Sequence, residues 1–363
     1  MSTVQIYEAD YEHAEEIITK LFSDFKFVWS DKKVLVKPNI LGPYNPEKAR
    51  TTHPSIIQAI VKILRNENAR VIVGDNPGIE GYGCSESTAK KTGILEASLG
   101  TFRNISKSPI KLKVQSRFTD SVIISKDILE ADLLISVPKF KTHPLTKITG
   151  AVKNNFGFLV GGEKARLHAL AHNPLDFAQM IVDIFQIRTP DLVIMDAVVG
   201  IEGNGSWAKN RRRIGKILAS DNAVSLDAVM AELMGLNPFN INCLKIAWER
   251  GLGEIDIDKI EIHGKLKVLR HFKMPNTITG TSIISNWLNK YWYSLFSKPN
   301  LHFRNSHCAK CGVCVENCPV GALEMREYPV LNANKCISCY CCHELCLNDA
   351  IKITGLLGHI VYR

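Results

Sequence analysis

Several features that would assign a function directly are missing from this sequence of 363 residues. No apolar run reaches the roughly 18–20 residues that a helix needs to cross a bilayer. No secretory signal peptide is recognisable, and no motif typical of nucleic-acid, flavin, nicotinamide or molybdenum binding is present. These absences argue against a membrane-spanning, secreted or nucleic-acid-binding protein, and we expect a cytoplasmic protein.

Acidic residues are missing from residues 265–300, which contain six lysines and arginines. The whole chain has a net charge of +9. A basic excess can attract nucleic acid, an acidic membrane surface or small anions. Since no nucleic-acid motif is present, we favour an anionic small molecule as ligand. A second basic run, residues 209–213, is predicted to be a solvated loop, although it could also attract an acidic redox partner protein.

A disulfide pattern is missing as well, because Cys84, Cys243 and Cys341 show no pairing by spacing. The other eight of the eleven cysteines form two runs of the same C-x2-C-x2-C-x3-C spacing, 28 residues apart. Zinc sites usually combine C-x2-C pairs with a longer loop, and disulfides suit small secreted domains. The doubled run instead favours [4Fe–4S] clusters, built on two copies of one structural unit.

This doubled run resembles a bacterial-type two-[4Fe–4S] ferredoxin domain, over about residues 301–360. In such domains the fourth cysteine of a run binds the other cluster. The resemblance therefore implies two [4Fe–4S] clusters, in an anaerobic or microaerobic cell. One cluster would be held by Cys308, Cys311, Cys314 and Cys346, and the other by Cys318, Cys336, Cys339 and Cys342. The extra thiol of Cys341 is an alternative ligand to its neighbour Cys342.

The acid-free stretch 265–300 also has apolar residues at helical spacing, between Ile283 and Phe296. Such a basic, aromatic helix could lie on a membrane surface. Alternatively, it could pack between two domains and cover the clusters. We favour packing, because the helix itself has few lysines and clusters need an apolar wall.

The remaining sequence alternates short apolar runs with amphipathic segments. The runs at 34–36, 71–73, 133–137 and 192–195 predict buried strands, and segments such as 11–23 and 174–188 predict helices. This pattern indicates an α/β fold with a mostly parallel sheet and helices on both faces, plus a small α+β two-cluster ferredoxin-like domain. The predicted parts are an α/β ligand-binding domain (1–264), a connector (265–300) and a ferredoxin domain (301–363).

Charged and amide side chains follow the predicted strands, and ligands bind beyond the carboxyl ends of parallel strands. We therefore predict a lysine-rich site for an anion. The predicted catalytic residues are Lys139, Lys141, His143 and Lys153; the predicted substrate-binding residues are Lys37, Asn39, Asp75, Asn154, Asn155, Asp196 and Glu202. The residues themselves leave other interpretations open: ordinary solvated loops, buried ion pairs, or a metal-bridged anion.

Motifs spread over the large domain resemble the family known as domain of unknown function 362, over about residues 30–262. The motifs occur in the expected order at 34–39, 51–54, 74–78, 137–143, 149–157, 195–205 and 217–227. Members of this family often carry a two-cluster ferredoxin module. The resemblance implies the fold and the domain order, but it does not name a reaction.

Three functions fit these observations, and the sequence does not decide whether the protein is an enzyme. It could be an iron–sulfur oxidoreductase that passes electrons to an anionic substrate or cofactor. Alternatively, it could be an electron carrier whose large domain docks a redox partner protein. In the third interpretation the clusters are structural and the large domain binds a ligand without redox chemistry. Peripheral membrane contact through the connector is not favoured.

Overall fold

The computed structural model describes residues 2–77, 84–171, 173–204, 210–275, 300–346 and 348–354. The predicted connector helix lies outside these residues. The strands are β1 (Thr3–Glu8), β2 (Lys33–Pro38), β3 (Arg70–Val73), β4 (Pro109–Lys113), β5 (Ser121–Ser125), β6 (Leu133–Val137), β7 (Lys139–His143), β8 (Lys147–Thr149), β9 (Leu192–Ile201), β10 (Arg211–Ser220), β11 (Glu261–His263), β12 (Asn300–Phe303), β13 (Leu323–Met325), β14 (Pro329–Leu331) and β15 (Ile351–Thr354).

The described helices are between 4 and 13 residues long. They are α1 (Ala14–Asp24), α2 (Pro54–Asn66), α3 (Glu86–Lys91), α4 (Ile94–Ala97), α5 (Lys126–Glu130), α6 (Ala151–Asn154), α7 (Glu163–Leu170), α8 (Pro174–Phe185), α9 (Ala223–Leu233), α10 (Asn242–Glu249), α11 (Val313–Glu316) and α12 (Cys341–Leu345). None of the described helices combines the length and apolar character needed to cross a membrane.

Nine of the described strands form one mixed sheet: seven follow the order β11-β1-β10-β9-β6-β2-β3, and β7 and β8 lie off this path. Strands β3, β2, β6 and β9 are parallel neighbours, whereas β10 is antiparallel to both β9 and β1. Strand β7 pairs in parallel with the second half of β9 and forms a hairpin with β8. Because β2, β3, β6 and β9 run in the same direction, their carboxyl ends meet at one edge of the sheet.

Helices cover both faces of this sheet, as predicted. Leu35 and Leu134 pack on one face with α6, α8, α9 and α10. Val36 and Ile135, each one residue further on, pack on the opposite face with α1, α2 and α4. Successive side chains of a strand point to opposite faces, so an all-apolar strand buries both. The α/β prediction with a mostly parallel sheet is therefore confirmed.

Two segments differ from the prediction. Residues 211–213 of the basic run begin strand β10 rather than forming a loop. Arg212 is held there by Glu202, whose Oε2 lies 3.0 Å from Nη1. Residues 139–143 form the buried strand β7, although the sequence Lys-Phe-Lys-Thr-His reads as a polar loop after β6.

The small C-terminal domain contains two antiparallel strand pairs, β12–β15 and β13–β14. Its internal repeat is visible in the structure. The amide of Ala322 donates to Cys318 Sγ at 3.2 Å, and the amide of Ala350 donates to Cys346 Sγ at 3.1 Å. Both donor and acceptor lie 28 residues apart in the two copies. Leu323 and Ile351 follow these alanines and pack in one small core.

Candidate functional site

The ends of strands β2 and β3 are joined by a buried ion pair. Lys37 Nζ lies 2.7 Å from Asp75 Oδ1, and both side chains are almost fully buried. Lys37 also donates to Asn154 Oδ1 at 3.2 Å, while Asp75 Oδ2 accepts from the amide of Ile40 at 2.8 Å. Gly157 makes room for this pair, because a Cβ there would lie 2.5 Å from Asp75 Oδ1. Lys37, Asp75 and Asn154 thus form one internal network.

A second buried ion pair joins Lys139 of β7 to Asp196 of β9. Lys139 Nζ lies 2.6 Å from Asp196 Oδ2, and both side chains are completely buried. Tyr11 completes the group, since its hydroxyl accepts from Lys139 at 2.8 Å and donates to Asp196 Oδ1 at 3.1 Å. The Tyr11 ring stacks on His53, whose amide donates to Asp196 Oδ2. The Lys139 ammonium is therefore engaged within the protein.

Lys141, His143 and Lys153 form a third group. No carboxylate of the described large domain pairs with any of these three side chains. Lys141 Nζ donates only to the carbonyl of Arg50, at 3.4 Å, among the described residues. Lys153 is half-buried and has no hydrogen-bond or ion-pair partner within the described part of the chain. Burial is the main cause that lowers the pKa of both Lys141 and His143, and the charge of Lys153 adds to it in each case.

The carboxylate that reaches this group comes from the small domain. Glu344 lies in α12, between Cys342 and Cys346, and its Oε1 lies 2.8 Å from His143 Nε2. Burial alone would raise the pKa of Glu344. Its interactions with His143, Lys153 and Lys141 instead hold that pKa well below the usual range. Glu344 is therefore an ionised carboxylate in contact with the lysine-rich site.

The hydrogen bonds of His143 assign its tautomer. Its Nδ1 accepts from the backbone amides of Leu145 and Thr146, at 3.0 and 3.1 Å. The proton is therefore on Nε2, which donates to Glu344. Burial, with the nearby charge of Lys153, lowers the pKa of His143 to about 4. At neutral pH the imidazole is uncharged and holds one proton between the two domains.

Lys141 and Lys164 have lowered pKa values, so both amines lose their charge near neutral pH. Burial, reinforced by Lys153 and Lys139, lowers the pKa of Lys141 to about 7, although Glu344 opposes the shift. Burial lowers the pKa of Lys164 to about 8, with Asp75 opposing and Lys37 and Lys153 adding to the shift. Lys164 Nζ donates to the carbonyl of Asn76, which follows Asp75. Perturbed lysines grouped in this way are typical of binding or acid–base sites.

Three other predicted residues have different surroundings. Asn39 lies beside Thr52 at the end of β2, and its buried Oδ1 has no partner among the described residues. Asn155 donates to the carbonyl of Arg188. Glu202 pairs with Arg212 and also lies 3.6 Å from Lys273 Nζ. The structure therefore brings Lys37, Asp75, Lys141, His143, Lys153 and Asn154 together, but engages Asn155 and Glu202 in contacts with other parts of the chain.

Helix α6 begins directly after Gly150, and its first amides bind an internal carboxylate. Asp227 of α9 accepts from the amides of Ala151 and Val152, at 2.7 and 2.9 Å. Burial raises the pKa of Asp227 to about 7. A Cβ at Gly150 would lie 2.1 Å from Asp227 Oδ1, so this close approach requires glycine. The start of α6 is thus a structural contact rather than a ligand site.

The cysteines of the small domain fall into two groups. Cys308, Cys311, Cys314 and Cys346 line one cavity. Burial, followed by the charges of Cys346, Cys311 and Cys308, raises the pKa of Cys314 to about 11. In the second group, burial and the charges of Cys339 and Cys318 raise the pKa of Cys336. Thiols that line a volume fit a cubane cluster. No three His, Cys, Asp or Glu side chains in the described ranges are grouped to hold a single metal ion.

Comparison with known families identifies both domains. The model of a domain of unknown function, DUF362, matches residues 34–232, more than half of the chain. The chain belongs to the DUF362 family. A 4Fe-4S binding domain matches residues 302–324, so this DUF362 protein carries an iron–sulfur domain after its large domain.

The chain is also similar to two individual proteins. A thylakoid-associated protein of Synechocystis sp. is 27% identical over 288 residues, which cover 76% of this chain and 88% of that protein. The solved structure of the lactate racemase apoprotein from Thermoanaerobacterium thermosaccharolyticum has a TM-score of 0.43 and 13% identity. That match covers 65% of this chain and 58% of the racemase, so the DUF362 protein spans little more than half of that structure.

Three residues of the DUF362 site were missed by sequence analysis. Glu344 lies within a cysteine run, Lys164 is the second residue of the weakly amphipathic helix α7, and Tyr11 precedes the first helix. As Glu316 does in the first cysteine run, Glu344 lies between two cysteines of the second run, so its position alone is no signal for the site. Its contact with His143 depends on how the two domains dock.

Proposed function

We propose that this DUF362 protein is a cytoplasmic iron–sulfur oxidoreductase that passes electrons through two [4Fe–4S] clusters to an anionic substrate or cofactor. The contact between His143 and Glu344 carries the proposal. It places α12, which contains the predicted cluster ligand Cys342 and is followed directly by Cys346, within hydrogen-bond distance of the lysine-rich site. The family match to a 4Fe-4S binding domain supports the clusters, and the two groups of cysteines support their number.

The residues of the site have distinct proposed roles. Lys37 and Lys139 position the strand ends through Asp75 and Asp196. Lys141 and Lys153 bind the anion, since their charges are not matched by a carboxylate of the large domain. The His143–Glu344 pair holds one proton beside the bound anion. When bound, the clusters would supply one-electron transfer.

Anaerobic purification tests this proposal. The protein should hold about eight iron and eight sulfide per chain, because eight cysteines complete two cubanes. Mass spectrometry of co-purifying small molecules should identify an anion, and that anion should rapidly oxidise the dithionite-reduced protein in stopped-flow measurements. Oxidation only by a partner protein would favour an electron carrier. Ligand turnover without reducible clusters would favour structural clusters and refute the redox proposal.

Replacing Lys141 or Lys153 by alanine should weaken anion binding while both clusters stay intact. One ammonium–anion contact at a shielded site contributes about 1.5–3 kcal/mol, or roughly ten- to a hundredfold in affinity. The measurement is calorimetric titration of the co-purifying anion, with succinate and inorganic phosphate as probes. Arginine at either position should rescue binding only in part, because its planar fork differs in shape and hydration. Alanine variants with wild-type affinity would remove these lysines from the site.

Anion affinity should also fall as the pH rises through about 7. The pKa of Lys141 is lowered to about 7, so the amine is mostly charged at pH 6 and mostly neutral at pH 8. The loss should approach tenfold per pH unit above 7 if binding requires the charged form. Titrations from pH 5.5 to 8.5 measure it. Lys141→Ala should flatten the profile near pH 7, whereas Lys164→Ala should affect it only nearer pH 8. A flat wild-type profile would contradict this role.

A further inference from the structure

Arg50 is a completely buried cation that touches both the anion site and the small domain. Its carbonyl accepts from Lys141 Nζ at 3.4 Å. Its guanidinium lies over the Tyr44 ring, 4.4 Å from the ring centre, and pairs through Nη2 with Asp349. The Asp349 side chain is 24% exposed, whereas that of Arg50 is fully buried. Water therefore screens the carboxylate more than the guanidinium.

The charge of Arg50 is incompletely matched by these contacts. Its Nε and Nη1 are buried and have no hydrogen-bond partner among the described residues. A guanidinium has five N–H donors and cannot lose its charge in a protein. Burying such a cation is costly unless further negative charge lies nearby.

Cys346, three residues before Asp349, would supply such charge as a cluster ligand. Asp349 belongs to the turn that follows this cysteine, since its amide donates to the Cys346 carbonyl at 3.4 Å. The next amide, of Ala350, donates to Cys346 Sγ at 3.1 Å. The charges of Arg50 and Cys346 both act on the hydroxyl of Tyr44. Burial raises the pKa of Tyr44 to about 12, the charge of Arg50 lowers it, and the charge of Cys346 raises it further. Arg50 therefore lies beside the cysteine cavity without being part of its wall.

We propose that Arg50 raises the reduction potential of the cluster that Cys308, Cys311, Cys314 and Cys346 would hold. Reduction adds one electron and hence one negative charge, and a buried cation nearby stabilises the charge that is added. Arg304 is a second cation at this cavity; it lines the wall and donates to the Asp349 carbonyl at 2.7 Å. The inference rests on the proposed clusters, and it gives Arg50 of the large domain a role in setting the reduction potential of one of them.

The test is an anaerobic potentiometric titration of the full chain, followed by EPR, with dithionite as the source of electrons. Arg50→Gln should lower the potential of this cluster, with at least a tenfold smaller equilibrium constant for reduction, which is about 59 mV for one electron. Asp349→Asn should raise it, because the variant removes a negative charge that opposes reduction. The second cluster is the internal control and should keep its potential.

The opposite signs distinguish an electrostatic role from a structural one. Both substitutions break the same ion pair, so a loss of domain docking would shift the potential in the same direction in both variants. A shift in the same direction, or an unchanged potential in Arg50→Gln protein that retains eight iron, would overturn the proposal. If Arg50→Gln loses iron, Arg50→Lys and Asp349→Asn decide: the first must keep the potential and the second must raise it. A wild-type iron content well below eight would instead refute the proposed two clusters.

Discussion

Cys318→Ala should remove the cluster that Cys336, Cys339 and Cys342 would otherwise hold, although Cys318 belongs to the first cysteine run. Iron should fall from about eight to about four per chain, because a cubane with three thiolates is poorly held. The resemblance to two-cluster ferredoxins implies this crossed assignment, and the cavity that Cys346 shares with Cys308, Cys311 and Cys314 supports it. Iron and sulfide analysis with EPR on anaerobic protein measures the loss.

The matched controls for Cys318→Ala are the cysteines outside the runs. Cys84 and Cys243 are buried in the large domain, so Cys84→Ser and Cys243→Ser should leave about eight iron per chain. The assignment would be wrong if Cys318→Ala abolished the signal of the cluster at Cys308, Cys311 and Cys314 and left the other intact. It would also be wrong if Cys318→Ala retained all eight iron.

Lys139→Met should destabilise the large domain by about 3–5 kcal/mol, because it leaves the carboxylate of Asp196 buried without its cation. Both side chains are completely buried in the wild type. The hydroxyl of Tyr11 and the amide of His53 still donate to Asp196, but neither carries charge. Urea unfolding followed by circular dichroism measures the loss as a lower midpoint. Adding Asp196→Asn should recover part of it, since the unpaired charge is then gone.

The control for Lys139→Met is an ion pair of the same length on the surface. Lys62 Nζ lies 2.6 Å from Glu15 Oε2, with both side chains more than 40% exposed. Lys62→Met should change the free energy of unfolding by less than about 1 kcal/mol, because water already solvates both charges. If Lys62→Met and Lys139→Met lowered the free energy of unfolding by similar amounts, burial would not explain what the Lys139–Asp196 pair contributes to stability.

The parallel part of the sheet could be predicted because its strands are apolar on both faces. Leu133–Val137 was predicted with its observed bounds, and Lys33–Pro38 contains the predicted run 34–36. Strand β7 was not predictable by the same rule. Its lysines are buried through partners distant in sequence, such as Asp196, and a single-sequence pattern does not contain those partners. The arginines at the start of β10 hid that strand for the same reason.

Only the residues that the large domain contributes to the site could be predicted from the sequence. Lys37, Lys141 and Lys153 are predictable from the large domain alone, because a parallel sheet brings residues distant in sequence together at the carboxyl ends of its strands. Glu344 could not be chosen in this way. The repeat gives it an equivalent, Glu316, in the first cysteine run, and the sequence treats the two alike. In the structure Glu316 is exposed, whereas Glu344 is half-buried against His143. The docking of the domains, rather than the repeat, distinguishes them.

The carboxylate of Glu344 belongs at once to the contact between the domains and to the surroundings of Lys141 and Lys153. Occupancy of the proposed anion site and the strength of domain docking would therefore be thermodynamically linked. By reciprocity, whatever factor a bound anion applies to the docking equilibrium, docking applies the same factor to the affinity for the anion. The same protein would then bind its ligand with one affinity when the iron–sulfur domain is seated and with another when it is released.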